Sequence, residues 1–261
     1  MSRRAPDVEA VERSHEGKVL FPKAGLTKGD LINYYAWIAP LMLPYLQGRP
    51  ATLHRFPDGI GSEGFFQKDM PDYFPDWVDR ETVDKEGGRV THAICKNGAT
   101  LVYLANQATI TPHVWLSRRD QPERPDLMVF DLDPSDGGFT FVRRVARTLR
   151  SLLEGLGLPA YLRTSGSRGL HVATPLKRQH DFDRVREFAR RIADRLIEED
   201  PEHATVEQHK AKRGKRVFLD VARKRVCTND CATVRGPSAA GGSGVDPHQL
   251  GGTGRQEVER A

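Results

Sequence analysis

The sequence predicts an α+β fold on the basis of three observations. Short segments that alternate apolar and polar residues, as half-buried strands do, recur along most of the chain. Segments with apolar residues at helical spacing lie between them, and a long amphipathic one covers 181–199. Neither low complexity nor an internal repeat interrupts these elements. A chain of 261 residues can bury a substantial core, and its length allows one or two domains.

The first helix is predicted over 28–46, where Thr27 is placed as its N-cap and where Pro40 and Pro44 are expected to bend or split it. Strands are predicted near 51–56, 64–68 and 89–95, and they are followed by a helix near 98–107 and a strand at 113–116. The remaining elements are a strand ending at Asp133, a helix over 139–156 that stops at Gly155-Leu156-Gly157, a hairpin within 161–173, a helix over 181–199 and a strand over 216–222.

Composition gives only broad limits on function. The net charge is +5 with a pI near 9.2, which suits a polyanionic partner without identifying one. No stretch reaches the ~18 apolar residues of a membrane span, and the Arg-rich start lacks the apolar segment of a signal peptide. Three cysteines do not make a disulfide framework. We therefore expect a cytoplasmic protein with no membrane contact.

The run Val129–Ser135 is the most informative segment of the chain. Its strand pattern places Asp131 and Asp133 on one face, with Phe130 and Leu132 on the other. Two ionised carboxylates ~7 Å apart repel by roughly 2 kcal/mol at an effective dielectric of ~20, and a divalent cation would remove that repulsion. Because Mg²⁺ and Mn²⁺ also accompany substrate phosphates, phosphoryl chemistry is the first hypothesis. A turn, a calcium loop or a helix cap remains an alternative reading of Asp-x-Asp.

Two further segments could complete such a site. Asp220 emerges from an apolar strand at 216–222, although a solvent-facing position on an edge strand explains it equally well. The loop between two strands at 161–173 carries Ser165, Arg168 and Gly169, and His171 follows in the returning strand. Glycines, hydroxyls and an arginine suit a triphosphate, but an ordinary hairpin turn has the same composition. The segment lacks the Gly-Lys-Ser/Thr ending of a P-loop.

Several motifs in order carry a resemblance to a known family. The segments HVWLSR, LMVFDLDPS, TSGSRGLHV and RVFLDVAR follow KVLFPKAGLTKGDLINYYAWIAPLMLPYLQGRP and GFFQK. Together they resemble the polymerase domain of bacterial ligase D, a member of the archaeo-eukaryotic primase superfamily that acts in non-homologous end joining. The resemblance runs from about Lys18 to Arg223. It implies a primase-polymerase fold with an RRM-like catalytic sheet flanked by helices over 1–223, followed by a divergent tail at 224–261.

The resemblance also implies roles for individual residues. Asp131, Asp133 and Asp220 match three carboxylates that hold two Mn²⁺ or Mg²⁺ ions. His113 matches a histidine near the sugar of the incoming nucleotide that favours a ribose 2′-hydroxyl, although a framework role in its strand remains open. The other implied nucleotide contacts are Ser165, Arg168, Gly169, His171 and Arg223, and the implied DNA contacts are Lys18 and Lys28 at a 5′-phosphate, Phe65 and Phe66 at the template, Arg55 and Lys68.

The implied activity is a DNA-dependent nucleotidyltransferase that extends DNA ends or fills short gaps, preferring ribonucleotides. Its implied partners are DNA with a 5′-phosphate, nucleoside triphosphates, the end-binding protein Ku and a DNA ligase, in the cytoplasm beside the nucleoid. Two alternatives stay open: a DNA-end binding module without catalysis, and a haloacid-dehalogenase-like phosphohydrolase, because VFDLD resembles the first motif of that family.

The tail is expected to differ from the rest of the chain. Residues 224–261 lack Phe, Trp and Tyr and are rich in glycine, so they cannot bury much apolar surface. Members of the resembled family place an arginine about seventeen residues after the third Asp, whereas this chain has Pro237 there and Arg235 nearby. We therefore expect a disordered tail and weak or absent activity.

Overall fold

The computed structural model describes residues 5–85, 87–136, 138–165 and 168–221. The helices of this part of the chain are α1 (Lys28–Leu46), α2 (Gly98–Asn106), α3 (Gly138–Gly155), α4 (Phe182–Glu199) and the single turn α5 (Lys210–Arg213). The strands are β1 (Val19–Phe21), β2 (Leu26–Thr27), β3 (Pro50–Arg55), β4 (Phe65–Gln67), β5 (Asp79–Lys85), β6 (Gly88–Ile94), β7 (Thr109–Val114), β8 (Ser117–Arg118), β9 (Gln121–Pro125), β10 (Leu127–Asp133), β11 (Tyr161–Thr164), β12 (Leu170–Pro175), β13 (Ala204–Thr205) and β14 (Val217–Asp220). The predicted α+β class is confirmed.

The first half of the chain packs α1 and α2 against an antiparallel sheet in the order β4-β3-β6-β5, with β7 also paired to β3. A capping box starts α1, because Thr27 accepts from the Asp30 backbone and Asp30 accepts from the Thr27 backbone. The helix then continues through Pro40 and Pro44 to Leu46, so the expected split does not occur. The sequence prediction missed β5, whose run of charged residues pairs along its whole length with β6.

The second half forms a sheet in the order β11-β12-β10-β14-β13, in which β10 lies at the centre. Its strands alternate strictly, so Phe130 and Leu132 face the helices together with Val172 and Leu219. Helices α3 and α4 cover that face and bury these side chains almost completely. Because one face is committed to this core, the intervening residues of the same strands must point to the opposite face.

A buried ion pair and shared apolar contacts fix the second sheet against the first half. Arg49, which immediately precedes β3, lies 2.7 Å from the carboxylate of Asp126, which immediately precedes β10. Arg118 also contacts that carboxylate at 2.8 Å. Val129 and Ala173, on the face turned away from α3 and α4, belong to the apolar core of the first half. The N-terminal part of β10 is thus anchored to the first half of the chain. Its C-terminal end, with Asp131 and Asp133, lies beyond these contacts.

Some predictions fall outside the described residues. They are Arg223 as a nucleotide contact and the tail at 224–261 with Arg235 and Pro237. In the part of the chain that the structure describes, no helix combines the length and apolar character needed to cross a membrane.

Candidate functional site

A row of polar residues crosses four strands of the second sheet. Asp131 on β10 is directly opposite His171 on β12 and Asp220 on β14, and Arg163 on β11 is opposite His171. Asp133 lies two residues further along β10 on the same face. The third carboxylate, for which the sequence left an edge position open, is therefore a direct neighbour of the Asp-x-Asp strand. This pairing brings together residues that are 89 positions apart in the sequence.

His171 lies between Arg163 and Asp131 in this row. Its side chain is fully buried, and its Nε2 lies 3.4 Å from Oδ1 of Asp131, which is itself 1% exposed. This geometry places the imidazole against the carboxylate. In the described structure His171 contacts Asp131, and its implied triphosphate contact stays a prediction.

Ser165 and Gly169, which follow β11 and precede β12, lie close to the end of β10. The Ser165 backbone donates to the Gly169 carbonyl at 3.2 Å, and the Gly169 backbone donates to Ser165 Oγ at 3.1 Å. A Cβ built on Gly169 would lie 2.5 Å from the Leu132 carbonyl oxygen and 3.4 Å from Asp133 Oδ1. Only glycine fits at this distance from a neighbouring backbone. The loop thus places the buried Ser165 hydroxyl beside the second carboxylate, while Arg168 is exposed.

The donor set fits hard divalent cations. Directly opposed residues in antiparallel strands have Cβ atoms about 5 Å apart, and at an effective dielectric of ~20 two carboxylates at that spacing repel by about 3 kcal/mol. Asp131 and Asp220 have this relation, and cation binding would relieve the repulsion. Within the described residues, however, no three Asp, Glu, His or Cys side chains are already gathered as a metal cage. The fit to a divalent cation therefore rests on three features: Asp131 and Asp133 share one face of β10, Asp131 is directly opposite Asp220, and all three offer carboxylate oxygens.

A second group of predicted residues meets at the start of α1. Strands β1 and β2 pair Val19 with Thr27, and the Lys28 backbone donates to the Lys18 carbonyl at 2.8 Å. Lys18 Nζ contacts the exposed Asp58 at 2.8 Å, whereas Lys28 is buried and donates to Ser14 Oγ at 3.2 Å. Burial lowers the pKa of Lys28, and the Lys18 cation lowers that pKa further. Two adjacent cations of this kind favour an anion between them.

Arg55 connects this lysine pair to the exposed aromatics. Its charge is close enough to Lys28 to lower the pKa of that lysine, and its guanidinium lies 5.5 Å from the centre of the Phe65 ring. The same guanidinium donates to the carbonyl and side-chain oxygens of Gln107 and to Gln67 Oε1 at 2.6–3.1 Å. Arg55 therefore organises the framework around Phe65, and its predicted DNA contact is not tested by these bonds.

His113 and Phe66 belong to one cluster of rings on the first sheet. His113 on β7 is buried, and its ring centre lies 5.3 Å from that of the half-exposed Phe66. The sequence analysis missed His54, which stacks on Phe66 at 4.1 Å and lies 5.9 Å from His113. Alternation along β3 indicates only that His54 and Thr52 share a face. The rings beside His54 become known only from the pairing of β3 with β4 and β7. Arg163 was missed for the same reason.

The remaining basic residues are less closely placed. Lys68 is exposed just after β4. In the basic segment 210–216, Arg213 lies over the Phe218 ring at 3.8 Å and donates to the Glu207 and Gln208 carbonyls. Arg216 donates to the backbone of α5. Both arginines therefore hold this segment together, and its lysines carry the outward charge.

Comparisons with known proteins identify the family of this chain. The family model described as LigD, primase-polymerase domain matches residues 27–232. The chain is 35% identical over 215 residues to the multifunctional non-homologous end joining protein LigD of Mycolicibacterium smegmatis, covering 81% of this chain and 28% of that protein. It is 34% identical over 205 residues to the bifunctional non-homologous end joining protein LigD of Bacillus subtilis, covering 78% of this chain and 33% of that protein.

A solved structure shows the same fold. The polymerase domain from Mycobacterium tuberculosis ligase D, in complex with DNA, matches with a TM-score of 0.78 at 33% identity, covering 88% of this chain and 79% of that one. The chain spans about a quarter to a third of the curated relatives it matches. The predicted primase-polymerase fold is confirmed, and the phosphohydrolase alternative has no support. This chain belongs to the LigD primase-polymerase domain family.

Proposed function

We propose that this protein is a metal-dependent nucleotidyltransferase that extends DNA ends or fills short gaps during repair by non-homologous end joining. The observation that carries the proposal is the row across β12, β10 and β14, where Asp131 lies between His171 and Asp220. The relatives are named for non-homologous end joining, and the matched polymerase domain is described in complex with DNA. These names support a DNA substrate for this chain.

The carboxylate row would hold two Mn²⁺ or Mg²⁺ ions through Asp131, Asp133 and Asp220. When bound, such ions supply charge neutralisation on the transferred phosphoryl group and acidify the attacking 3′-hydroxyl. His171 lies buried against the Asp131 carboxylate, where it would help to position that ligand. Ser165 and the Gly169 backbone lie beside Asp133, so a triphosphate bound by this loop and by Arg168 would end next to the carboxylates.

The lysine pair would recognise the far side of a gap or break. Asp58 is largely exposed, and exposed ion pairs contribute only ~0–1 kcal/mol, so a DNA 5′-phosphate can replace it beside Lys18. Lys28 is held close by, and its buried ammonium gains a counter-charge when a phosphate binds. Phe65 and Phe66 expose about half of their surface and offer stacking worth ~1–3 kcal/mol per base. Arg55 and Lys68 would add positive charge along the same path.

Ribonucleotide preference is proposed to come from the ring cluster around His113. An imidazole nitrogen can donate to or accept from a ribose 2′-hydroxyl, and a deoxyribose lacks that group. We also propose that the protein acts with Ku and a DNA ligase, since end joining requires end capture and sealing as well as synthesis.

Primer extension tests the proposal. Purified protein is given Mn²⁺, single ribo- or deoxynucleoside triphosphates and a gapped duplex with a 5′-phosphate, and products are resolved on a gel. We expect extension that is stronger with ribonucleotides, lost in Asp220→Ala and retained in Asp194→Ala, which removes an exposed carboxylate on α4. Binding that still distinguishes a 5′-phosphate, without any extension, would support the DNA-end binding module instead.

A further inference from the structure

An open groove lies on the side of the second sheet that faces the helices, between α3 and the edge strand β11. Its volume is about 410 Å³. Its floor is mainly aliphatic, with Ala146, Ala160, Leu162, Leu170 and Val172, and the exposed Tyr161 completes the lining. Leu162 is 61% exposed even though it lies in a strand, and Val172, its neighbour on β12, is buried. A large apolar side chain left open beside a cavity of this size favours binding of an apolar group.

The rim of the groove is positively charged. Arg143, Arg147 and Arg150 line it from α3, at positions that share one face of the helix. Arg150 pairs with Glu154 at 2.7 Å. Among the described residues, no ion pair is formed by Arg143 or Arg147, and both are exposed. An occupant of this groove must therefore combine acidic groups for the rim with an aliphatic group for the floor.

The backbone of β11 adds a third feature. This strand pairs with β12 on one side, and within the described residues nothing pairs with its other side. An exposed edge of this kind accepts an added strand through main-chain hydrogen bonds. Arg143 and Arg147 are separated by about 6 Å along the helix, close to the ~6.7 Å between alternate side chains of an extended peptide. The arginines on α3 and the free edge of β11 thus both favour an extended peptide with acidic side chains.

We propose that this groove binds an extended segment of a partner protein, in which an aliphatic residue and acidic residues occupy alternate positions. The segment adds to β11 as a further strand, with its acidic side chains on Arg143 and Arg147 and its aliphatic side chain on Leu162. Single-stranded DNA fits less well, because only a peptide can use the main-chain donors and acceptors of the strand edge. The groove also lies on the face opposite to Asp131, so this proposal does not depend on the proposed catalytic function.

Fluorescence anisotropy with the full chain tests the proposal. The probe is a short labelled peptide in which leucine and two glutamates alternate with threonine, and the comparison peptide carries lysines in place of the glutamates. We expect the glutamate peptide to bind, the lysine peptide to fail, and Arg147→Glu to weaken binding by about tenfold. Arg190→Glu, the same charge change on the exposed face of α4, should leave the affinity unchanged.

Three outcomes would overturn the proposal. They are no binding of the glutamate peptide at millimolar concentration, equal binding by Arg147→Glu and the unmodified protein, or displacement of the peptide by oligothymidylate with the same dependence on Arg147. The last result would assign the groove to nucleic acid. Leu162→Ser changes an exposed position, where misfolding is not expected. It should weaken binding of the glutamate peptide and leave recognition of a DNA 5′-phosphate unaltered.

Discussion

Substituting Gly169 with alanine tests the close contact between the loop and the carboxylate strand. The added Cβ would lie 2.5 Å from the Leu132 carbonyl oxygen, and an ordinary contact begins at about 3.4 Å, so the loop must move by about 0.9 Å. Overpacking of this kind costs ~1–3 kcal/mol. For a domain of this size that lowers the melting temperature by roughly 2–12 °C.

The expected loss of activity is larger than the loss of stability. A displacement of about 1 Å in a reacting group can cost ~100-fold in rate, and Ser165 and Asp133 both border the added atom. Extension on a gapped duplex and thermal unfolding by circular dichroism measure the two effects in the same protein. Gly155→Ala is the matched control, because no atom lies within 4 Å of its Cβ position.

Two results would refute this reasoning. Wild-type extension with an unchanged melting temperature would show that the loop does not press against β10. A fall in extension matched by an equal fall in binding of phosphorylated gapped DNA would assign the loss to general misfolding, because Lys18 and Lys28 lie in the other half of the chain.

Three further predictions follow from the same contacts. Asp131→Asn should abolish extension and preserve gapped-DNA binding, since it removes one ligand charge from the row; any extension by this variant, measured on a gel, would remove Asp131 from the catalytic set. Arg168→Ala should raise the KM for nucleotide more than the Kd for DNA, and Arg168→Lys should restore part of the loss. Because the pKa of Lys28 is lowered, its charge is lost as pH rises earlier than for an ordinary lysine, so preference for 5′-phosphate should weaken at high pH; Lys28→Arg should remove that pH dependence, and Lys96→Ala should retain it.

Local sequence patterns were sufficient for most of the secondary structure. The Thr27 cap predicted the start of α1, and the alternation in Val129–Asp133 correctly separated the two carboxylates from Phe130 and Leu132. Propensity was wrong in part at α1, because the helix contains two prolines and, of the expected bend or split, the split does not occur. It also missed β5, whose charged residues form a strand because β6 supplies a complete set of backbone partners.

The sequence by itself determined which residue types could carry phosphoryl chemistry and which face of each strand they occupy. It could not determine which strands are neighbours, because pairing between distant segments depends on how the whole core packs. The structure decided that Asp220 is opposite Asp131, that His171 is buried against the same carboxylate, and that Gly169 closes on Leu132. It also revealed the Arg-rimmed groove, because α3 and β11 come together only when both pack onto one sheet.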